Sequence, residues 1–206
     1  MKFPPMIDTK NFLISNNTGQ IDKIAFINYA YELFVNDFKN SNVLYNGLQV
    51  QIRDKKLDCS VCNNTCSNTF CNCENCPWKN KEDIFQHITS NEDPALETRL
   101  SKIAKKKLKK RRRTNPGYKI RTPGIYSKTR TRRINWIKFV IENSNNPEII
   151  EKIIQSASNE EKIRLYNKKE NYLVIISRTT LKNGTQELYL NSAYHKPYIS
   201  LLRDFQ

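Results

Sequence analysis

The sequence predicts an α+β protein in which N-terminal helices pack on a small antiparallel β-sheet, with an inserted cysteine-rich loop that binds metal. Three observations predict this architecture. Apolar residues recur at helical spacing near the N-terminus, they alternate with a period of two toward the C-terminus, and all six cysteines lie in one short segment between. The 206 residues divide into four segments: 1–57, a helix and a strand; 58–80, the cysteine-rich loop; 81–128, a histidine-containing segment and a basic arm; and 129–206, a C-terminal α+β domain.

The first segment contains one predicted helix and one predicted strand. Apolar and aromatic residues follow one another at three- and four-residue steps across 20–39, which is typical of an amphipathic helix whose apolar face belongs to the core. An Asn-Gly pair at 46–47 then predicts a turn, and alternating apolar residues across 48–52 predict a half-buried strand. The helical apolar residues are Ile24, Ile27, Tyr31, Phe34, Val35 and Phe38.

The second segment contains every cysteine, and two pairs have the spacing of metal ligands. Each pair has two residues between its cysteines, and ten residues separate the pairs. Two such pairs suit a tetrahedral zinc ion, which binds thiolates at about 2.3 Å. The intervening residues are polar and cannot form an apolar core, whereas a bound metal can supply folding free energy. The cysteines are Cys59, Cys62, Cys66, Cys71, Cys73 and Cys76.

Cys66 and Cys71 exceed a single four-cysteine site, so other arrangements stay open. Six thiolates also suit two zinc ions that share ligands, an iron–sulfur cluster, disulfides or free thiols. Structural zinc is the interpretation that the spacing favours. A closed four-thiolate site has no open coordination position, so we expect this loop to stabilise the fold without taking part in catalysis.

The net charge of +15 is concentrated in residues 101–133, which contain 15 Lys or Arg and no acidic residue. The other 173 residues contain 20 basic and 20 acidic residues and are neutral as a whole. Such a density of cations neutralises a polyanion and releases its counterions, which predicts nucleic-acid contact. Lysine-rich runs also serve as localisation signals or solvated linkers. The expected contact residues are Lys105, Lys106, Lys107, Lys109, Lys110, Arg111, Arg112 and Arg113.

The C-terminal segment is predicted to contain helices followed by an antiparallel sheet. Apolar residues on one face predict a helix over 134–141. Asn146-Pro147-Glu148 has the cap, proline and acidic residue typical of a helix start, and isoleucines continue this second helix to residue 154. Period-two patterns, a turn at 182–184 and a further apolar pattern complete the segment. The predicted strands are 163–165, 172–177 and 187–191, and the last predicted helix is 198–205.

The chain contains two histidines, His87 and His195. Imidazole is the side chain best suited to proton transfer near neutral pH. If the protein performs acid–base chemistry through imidazole, one of these two residues must supply it. A single histidine is more often structural or simply exposed, so its presence alone identifies no function.

Four short motifs occur in a fixed order in the second half of the chain. His87 lies in an F-x-H-I segment, and 130–136 read R-x-x-R-x-x-W. A strand of the Y-L-V-I type follows at 172–175, and a strand ending in L-x-S-A-Y follows at 190–194. This order resembles the phage and mobile-element nucleases of the barnase–EndoU–colicin–RelE superfamily, which includes small ribonucleases and toxins. The resemblance covers about residues 85–205.

The resemblance implies helices ahead of a four-stranded antiparallel sheet, and metal-independent cleavage of RNA. In such cleavage the ribose 2′-OH attacks the adjacent phosphate, so a base must remove its proton and an acid must protonate the leaving 5′-oxygen. His87 is then the acid–base residue, and Arg133 or Arg130 is the phosphate clamp, because guanidinium is always charged and donates in a fork. Ser192 or Tyr194 is the residue that hydrogen-bonds the phosphate or the 2′-OH.

A second interpretation is a non-catalytic, zinc-stapled RNA- or DNA-binding protein of a phage or mobile element, which the basic stretch and the cysteines support equally well. The expected partner is RNA, such as tRNA or mRNA, and a toxin-like nuclease is also expected to have an inhibitory or immunity protein. No apolar run approaches the roughly 18 residues of a spanning helix, and Met1–Pro5 lacks the apolar part of a signal peptide. The sequence therefore predicts a cytoplasmic protein without a membrane partner.

Overall fold

A computed structural model describes most of the chain outside the cysteine-rich loop and the basic arm. The predicted terminal helix at 198–205 also lies outside the described residues. Among the residues that are described, no helix is both long and apolar enough to cross a bilayer. The described residues are 1–14, 20–54, 78, 81–91, 106, 109–110, 113, 125–155 and 160–195.

The helices with described bounds are α1 (Lys23–Val35), α2 (Asp83–Thr89), α3 (Lys128–Thr131) and α4 (Trp136–Glu142). The predicted helix at 20–39 is confirmed as α1. Asp22 caps its start, and the Asp22 carboxylate accepts hydrogen bonds from the backbone N–H groups of Ile24 and Ala25 at 3.0 Å. Such a cap satisfies donors that have no partner within the helix. A π-helical turn, Asn36–Asn40, extends α1 toward the sheet.

The strands are β1 (Leu44–Tyr45), β2 (Leu48–Gln51), β3 (Ser90–Asn91), β4 (Ile125–Tyr126), β5 (Ile149–Gln155), β6 (Glu160–Asn167), β7 (Tyr172–Thr180) and β8 (Gln186–His195). Six of them form one sheet in the order β1-β2-β8-β7-β6-β5, while β3 and β4 pair separately. β2 runs parallel to β8, and the other neighbours are antiparallel. The sheet curls so far that the Tyr45 hydroxyl on β1 donates to Glu151 on β5 at 2.6 Å, which joins the two edge strands.

The prediction of a helix starting at Asn146-Pro147-Glu148 is wrong, because the isoleucines that follow form the edge strand β5. Asn146 closes a tight turn instead: its side chain accepts from the Glu148 N–H at 3.0 Å and its carbonyl from the Ile149 N–H at 2.8 Å. β5 then pairs along its whole length with β6. Isoleucine is β-branched and fits a pleated sheet well. Pairing with β6, the next strand in the chain, decides the conformation here, and the Asn-Pro-Glu pattern did not reveal it.

The two faces of the sheet have different surroundings. One side, which we call the core face, packs on α1 and α4. The opposite side, which we call the outer face, has a smaller apolar cluster around the buried Tyr166 and Leu173. Because successive side chains of a strand alternate between faces, each strand contributes to both. Buried residues of the core face include Val50, Ile163, Leu165, Val174, Ile176 and Leu188.

The predicted α+β class is confirmed, but the sheet is mixed where an antiparallel one was predicted, and it has six strands where the resemblance implied four. The predicted strands at 48–52, 163–165, 172–177 and 187–191 correspond to β2, β6, β7 and β8, and the predicted helix at 134–141 corresponds to α4. Since β1 and β2 extend the sheet beside β8, the first segment shares one hydrophobic core with the last.

Candidate active site

His87 and Ser192 are in hydrogen-bonding contact although 105 residues separate them in the chain. The apolar residues of α2 are buried in the core, and the half-buried imidazole of His87 reaches the end of β8. Its Nε2 lies 3.1 Å from Ser192 Oγ. In one tautomer Nε2 accepts the hydroxyl proton, and in the other its N–H donates to the hydroxyl oxygen. Either arrangement places a proton-transfer group beside a hydroxyl.

A β-bulge determines which way Ser192 points. The register between β7 and β8 shifts at Asn191, which is therefore an extra residue in β8. Leu190 faces the core, and in a regular strand Ser192 would face the same side. The extra residue turns Ser192 and Tyr194 to the outer face instead, which is how bulges commonly re-aim side chains beside active sites. The Asn191 amide donates to Ser177 Oγ at 3.2 Å and helps to hold the bulge.

Buried polar contacts hold α2, and with it the imidazole, in place. Glu82 directly precedes the helix, and its fully buried carboxylate accepts from the Tyr31 hydroxyl at 2.8 Å and from the Lys39 ammonium at 2.6 Å. Burial and this carboxylate raise the pKa of Tyr31 to about 12, so the phenol stays a donor at neutral pH. At the other end of α2, the Trp78 indole N–H donates to Thr89 Oγ1 at 3.1 Å.

Arg130 lies beside the same end of β8. The Ser127 hydroxyl caps α3 by accepting from the Arg130 backbone N–H at 3.3 Å. The guanidinium donates to the Ser90 carbonyl at 2.6 Å, and its Cζ lies 5.4 Å from the centre of the Tyr194 ring. Ser192 and Tyr194 project from the same face of β8, about 7 Å apart along the strand. A permanent cation is therefore held on the face that carries the imidazole–hydroxyl contact.

Arg133 is held between α3 and α4. Its Nη1 donates to the Thr129 carbonyl at 2.9 Å, and its Cζ lies 5.0 Å from the centre of the Trp136 ring. Its Nε is buried and has no hydrogen-bond partner among the described residues. Burial lowers the pKa of Arg133, yet a guanidinium remains charged at neutral pH. The buried N–H of this cationic group is therefore suited to donate a hydrogen bond to an anion.

His195, to which the motifs gave no role, ends the same strand. It pairs in register with Tyr172, whose hydroxyl donates to the Arg133 carbonyl at 3.3 Å. Partial burial and, secondarily, the charge of Arg133 lower the pKa of His195. By strand alternation it projects from the side opposite to Ser192. In the sequence it stands out only as the second of two histidines, because its position beside Arg133 depends on how β7 pairs with β8.

All five predicted catalytic residues lie around the C-terminal end of β8. Of the two arginines, Arg130 contacts the face that carries Ser192, so it is the better placed to act with His87. Arg133 reaches the same strand end through Tyr172, from the other side. The contacts on the outer face are His87 with Ser192 and Arg130 with Tyr194.

The other predicted site residues are described only in part. Four of the expected nucleic-acid contacts are exposed: Lys106, Lys109, Lys110 and Arg113. Lys105, Lys107, Arg111, Arg112 and all six cysteines lie outside the described residues. Within the described part of the chain, His, Cys, Asp and Glu side chains form no group of three or more that could hold a metal ion.

No family model matches the chain, and no curated protein or solved structure is significantly similar to it. The functional assignment therefore depends on the residues and on their geometry.

Proposed function

We propose that this protein is an endoribonuclease that cleaves RNA by attack of the ribose 2′-OH on the adjacent phosphate, without a catalytic metal ion. The observation that supports this most strongly is the 3.1 Å contact between His87 Nε2 and Ser192 Oγ. Arg130 is held on the same face of the strand, against Tyr194. One strand end thus brings together an imidazole, a hydroxyl and a permanent cation, which are the groups that this chemistry requires.

His87 is the acid–base residue in the proposed reaction. It removes the proton of the 2′-OH, and the 2′-oxygen forms a bond to phosphorus while the bond from phosphorus to the 5′-oxygen breaks. The leaving 5′-oxygen then receives a proton from the imidazolium. The products are a 2′,3′-cyclic phosphate on one fragment and a 5′-hydroxyl on the other. Ser192 orients the imidazole and donates a hydrogen bond to the substrate.

Arg130 stabilises the charge that develops on the phosphate oxygens during this reaction. Donors that are already fixed in place are worth more than flexible ones, because they need no reorganisation when the charge appears. Arg130 is fixed by the Ser90 carbonyl and the Tyr194 ring. Arg133, on the other side of the strand end, is the alternative clamp and offers its buried Nε.

Cleavage of a DNA oligonucleotide that contains one ribonucleotide, in excess EDTA, tests this proposal. We expect a single cut on the 3′ side of the ribonucleotide, with a 2′,3′-cyclic phosphate and a 5′-hydroxyl as the new ends. The all-deoxy oligonucleotide is the matched control and should stay intact, because it has no 2′-OH. Cuts in the control, or cleavage that depends on added Mg²⁺, would contradict the proposal.

The exposed cations Lys106, Lys109, Lys110 and Arg113 support the second candidate function, which is nucleic-acid binding without catalysis. Binding through phosphates alone weakens steeply with salt and shows little sequence preference. RNA that is bound in this way but never consumed would favour this function over the nuclease. tRNA and mRNA as substrates, and an inhibitory protein as partner, are further proposals that come from the resemblance to toxins.

We also propose that the cysteine-rich loop binds structural zinc, on the strength of the two C-x-x-C spacings. A closed thiolate site contributes folding free energy and no chemistry. Elemental analysis of the purified protein should therefore find zinc, and its removal should lower thermal stability. Iron together with inorganic sulfide would indicate an iron–sulfur cluster instead of zinc. A protein without metal and without free thiols would indicate disulfides.

A further inference from the structure

Two basic side chains lie in line with Ser192 across the outer face of the sheet. Strand pairing places Ser192 opposite Ile175 on β7, Ile175 opposite Arg164 on β6, and Arg164 opposite Lys152 on β5. Directly paired residues project from the same face, so these four side chains form one row across the strands. Neighbouring strands are about 4.8 Å apart, which puts Lys152 about 14 Å from Ser192.

Lys162 adds a third cation to this row. It lies two residues from Arg164 on β6 and pairs with Ser177 on β7, so it also projects from the outer face. All three basic side chains are partly exposed. We call Lys152, Arg164 and Lys162 the basic row.

The acidic residues of β5 and β6 are arranged differently. Glu151 and Glu161 alternate with the basic residues and project from the core face. Glu160 shares the outer face but lies beyond Lys162, at the end of β6 away from Ser192. On the outer face next to the candidate active site, the charged residues that the structure describes on these two strands are therefore the three basic ones.

We propose that the basic row binds the phosphates of the RNA strand on one side of the cleaved bond, so that the substrate crosses β7, β6 and β5. This proposal rests on the proposed function for its starting point at Ser192. A single strand is flexible enough to lie across a sheet, and a cationic track along its backbone is the usual way to hold it. Contacts to phosphate fix the position of the strand without selecting its sequence.

Binding of a 2′-O-methyl RNA 12-mer, which has no 2′-OH and cannot be cleaved, tests the row separately from catalysis. Fluorescence anisotropy would compare the wild type with a Lys152→Ala/Arg164→Ala double variant. Lys10→Ala/Lys182→Ala is the matched control, because it removes the same charge from exposed turns outside the row. Circular dichroism and a melting curve check that each variant is folded.

We expect the row variant to bind the 12-mer about tenfold more weakly than the control variant does. The slope of log K against the logarithm of the salt concentration should become shallower by about 1.4, as for two lost phosphate contacts on a single strand. In cleavage assays the KM of a 12-mer should rise at unchanged kcat, while a dinucleotide, too short to reach the row, should be unaffected. Equal affinity of the row variant and the control variant for the 12-mer would overturn the proposal. The same result is expected if the basic row binds an acidic protein and not RNA.

The two proposals can fail independently. If the wild type never cleaves RNA but the row variant loses affinity, the basic row stands and the nuclease assignment fails. If the wild type cleaves RNA and the row variant binds the 12-mer as tightly as the control variant, the nuclease assignment stands and the row fails.

Discussion

The two ends of β8 hold their polar groups in different ways. At the N-terminal end, the Tyr189 hydroxyl donates to Glu187 at 2.9 Å, and this hydrogen bond raises the pKa of the phenol. On the adjacent strand, Arg178 Nε donates to the Glu161 carboxylate at 2.5 Å. These two donors are thus paired with carboxylates, and the charge of Arg178 is cancelled within the protein.

At the C-terminal end of β8, the two arginines donate to main-chain carbonyls and lie against aromatic rings. The acceptors are the carbonyls of Ser90 for Arg130 and of Thr129 for Arg133. The Thr129 carbonyl orients the Arg133 guanidinium without cancelling its charge, whereas the Glu161 carboxylate both orients Arg178 and cancels its charge. The N-terminal end of β8 is therefore stabilised by contacts with carboxylates, whereas its C-terminal end is suited to binding an anion.

The largest expected effect is the loss of cleavage in His87→Ala, which should lower kcat by about 10²–10⁴-fold because an acid–base group is removed. Ser192→Ala should lower kcat less, since the imidazole remains. Because the two side chains touch, the double variant should be no slower than His87→Ala alone. Additive losses in this double-mutant cycle, measured by kcat on a short RNA, would show that the contact has no role in the reaction.

Replacing an arginine at each end of the strand tests the comparison directly. Arg130→Ala should lower kcat by about 10²–10³-fold, as expected for a donor that stabilises developing charge. Arg178→Ala removes the same charge from the other end and should leave kcat within about twofold, because its carboxylate-paired guanidinium is not an anion donor. Equal losses in the two variants would mean that cleavage depends on overall charge and not on position.

Stability should respond to the loss of a carboxylate according to its burial. Glu82→Gln keeps an acceptor for Tyr31 but removes the carboxylate that pairs with Lys39. The free energy of unfolding should therefore fall by about 2 kcal/mol. Glu161→Gln, at the partly exposed pair with Arg178, should cost less than about 1 kcal/mol. Urea unfolding measures both, and a larger loss at Glu161 would contradict the idea that Glu82 anchors α2.

The smallest expected effect is a pH dependence of stability from His195. Its pKa in the folded protein lies below the unfolded value of about 6.5, so between the two values the unfolded chain binds more protons. Its contribution to stability is therefore present above about pH 6.5 and is lost as the pH falls. The melting temperature of the wild type should drop more between about pH 7.5 and 5 than that of His195→Asn. An equal drop in both proteins would rule out this contribution.

Local patterns predicted much of the fold. The three- and four-residue spacing predicted α1, while alternation, a continuous apolar run and a turn signal predicted β6, β7 and β8. The same kind of reasoning failed at 149–155, where a helix-start pattern precedes isoleucines that pair with β6. The parallel contact of β2 with β8 joins distant parts of the chain, so no local pattern encodes it.

The candidate site was predictable as a set of residues but not as an arrangement. His87 and Ser192 could be named from motifs, yet their contact depends on how α2 packs beside β8. The bulge at Asn191 decides which face Ser192 occupies, and an asparagine in a strand gives no reliable sign of a bulge. For the same reason the motifs did not favour Arg130 over Arg133, and strand pairing was needed to connect His195 with the site.

The most direct test of the proposed ribonuclease is incubation of the purified protein with total RNA in excess EDTA, beside His87→Ala as the control. We predict that the wild type degrades the RNA and that the folded variant leaves it intact. RNA that stays intact with the wild type while binding to it in a salt-sensitive way, or RNA that both proteins degrade equally, would contradict the assignment of the end of β8 as an active site.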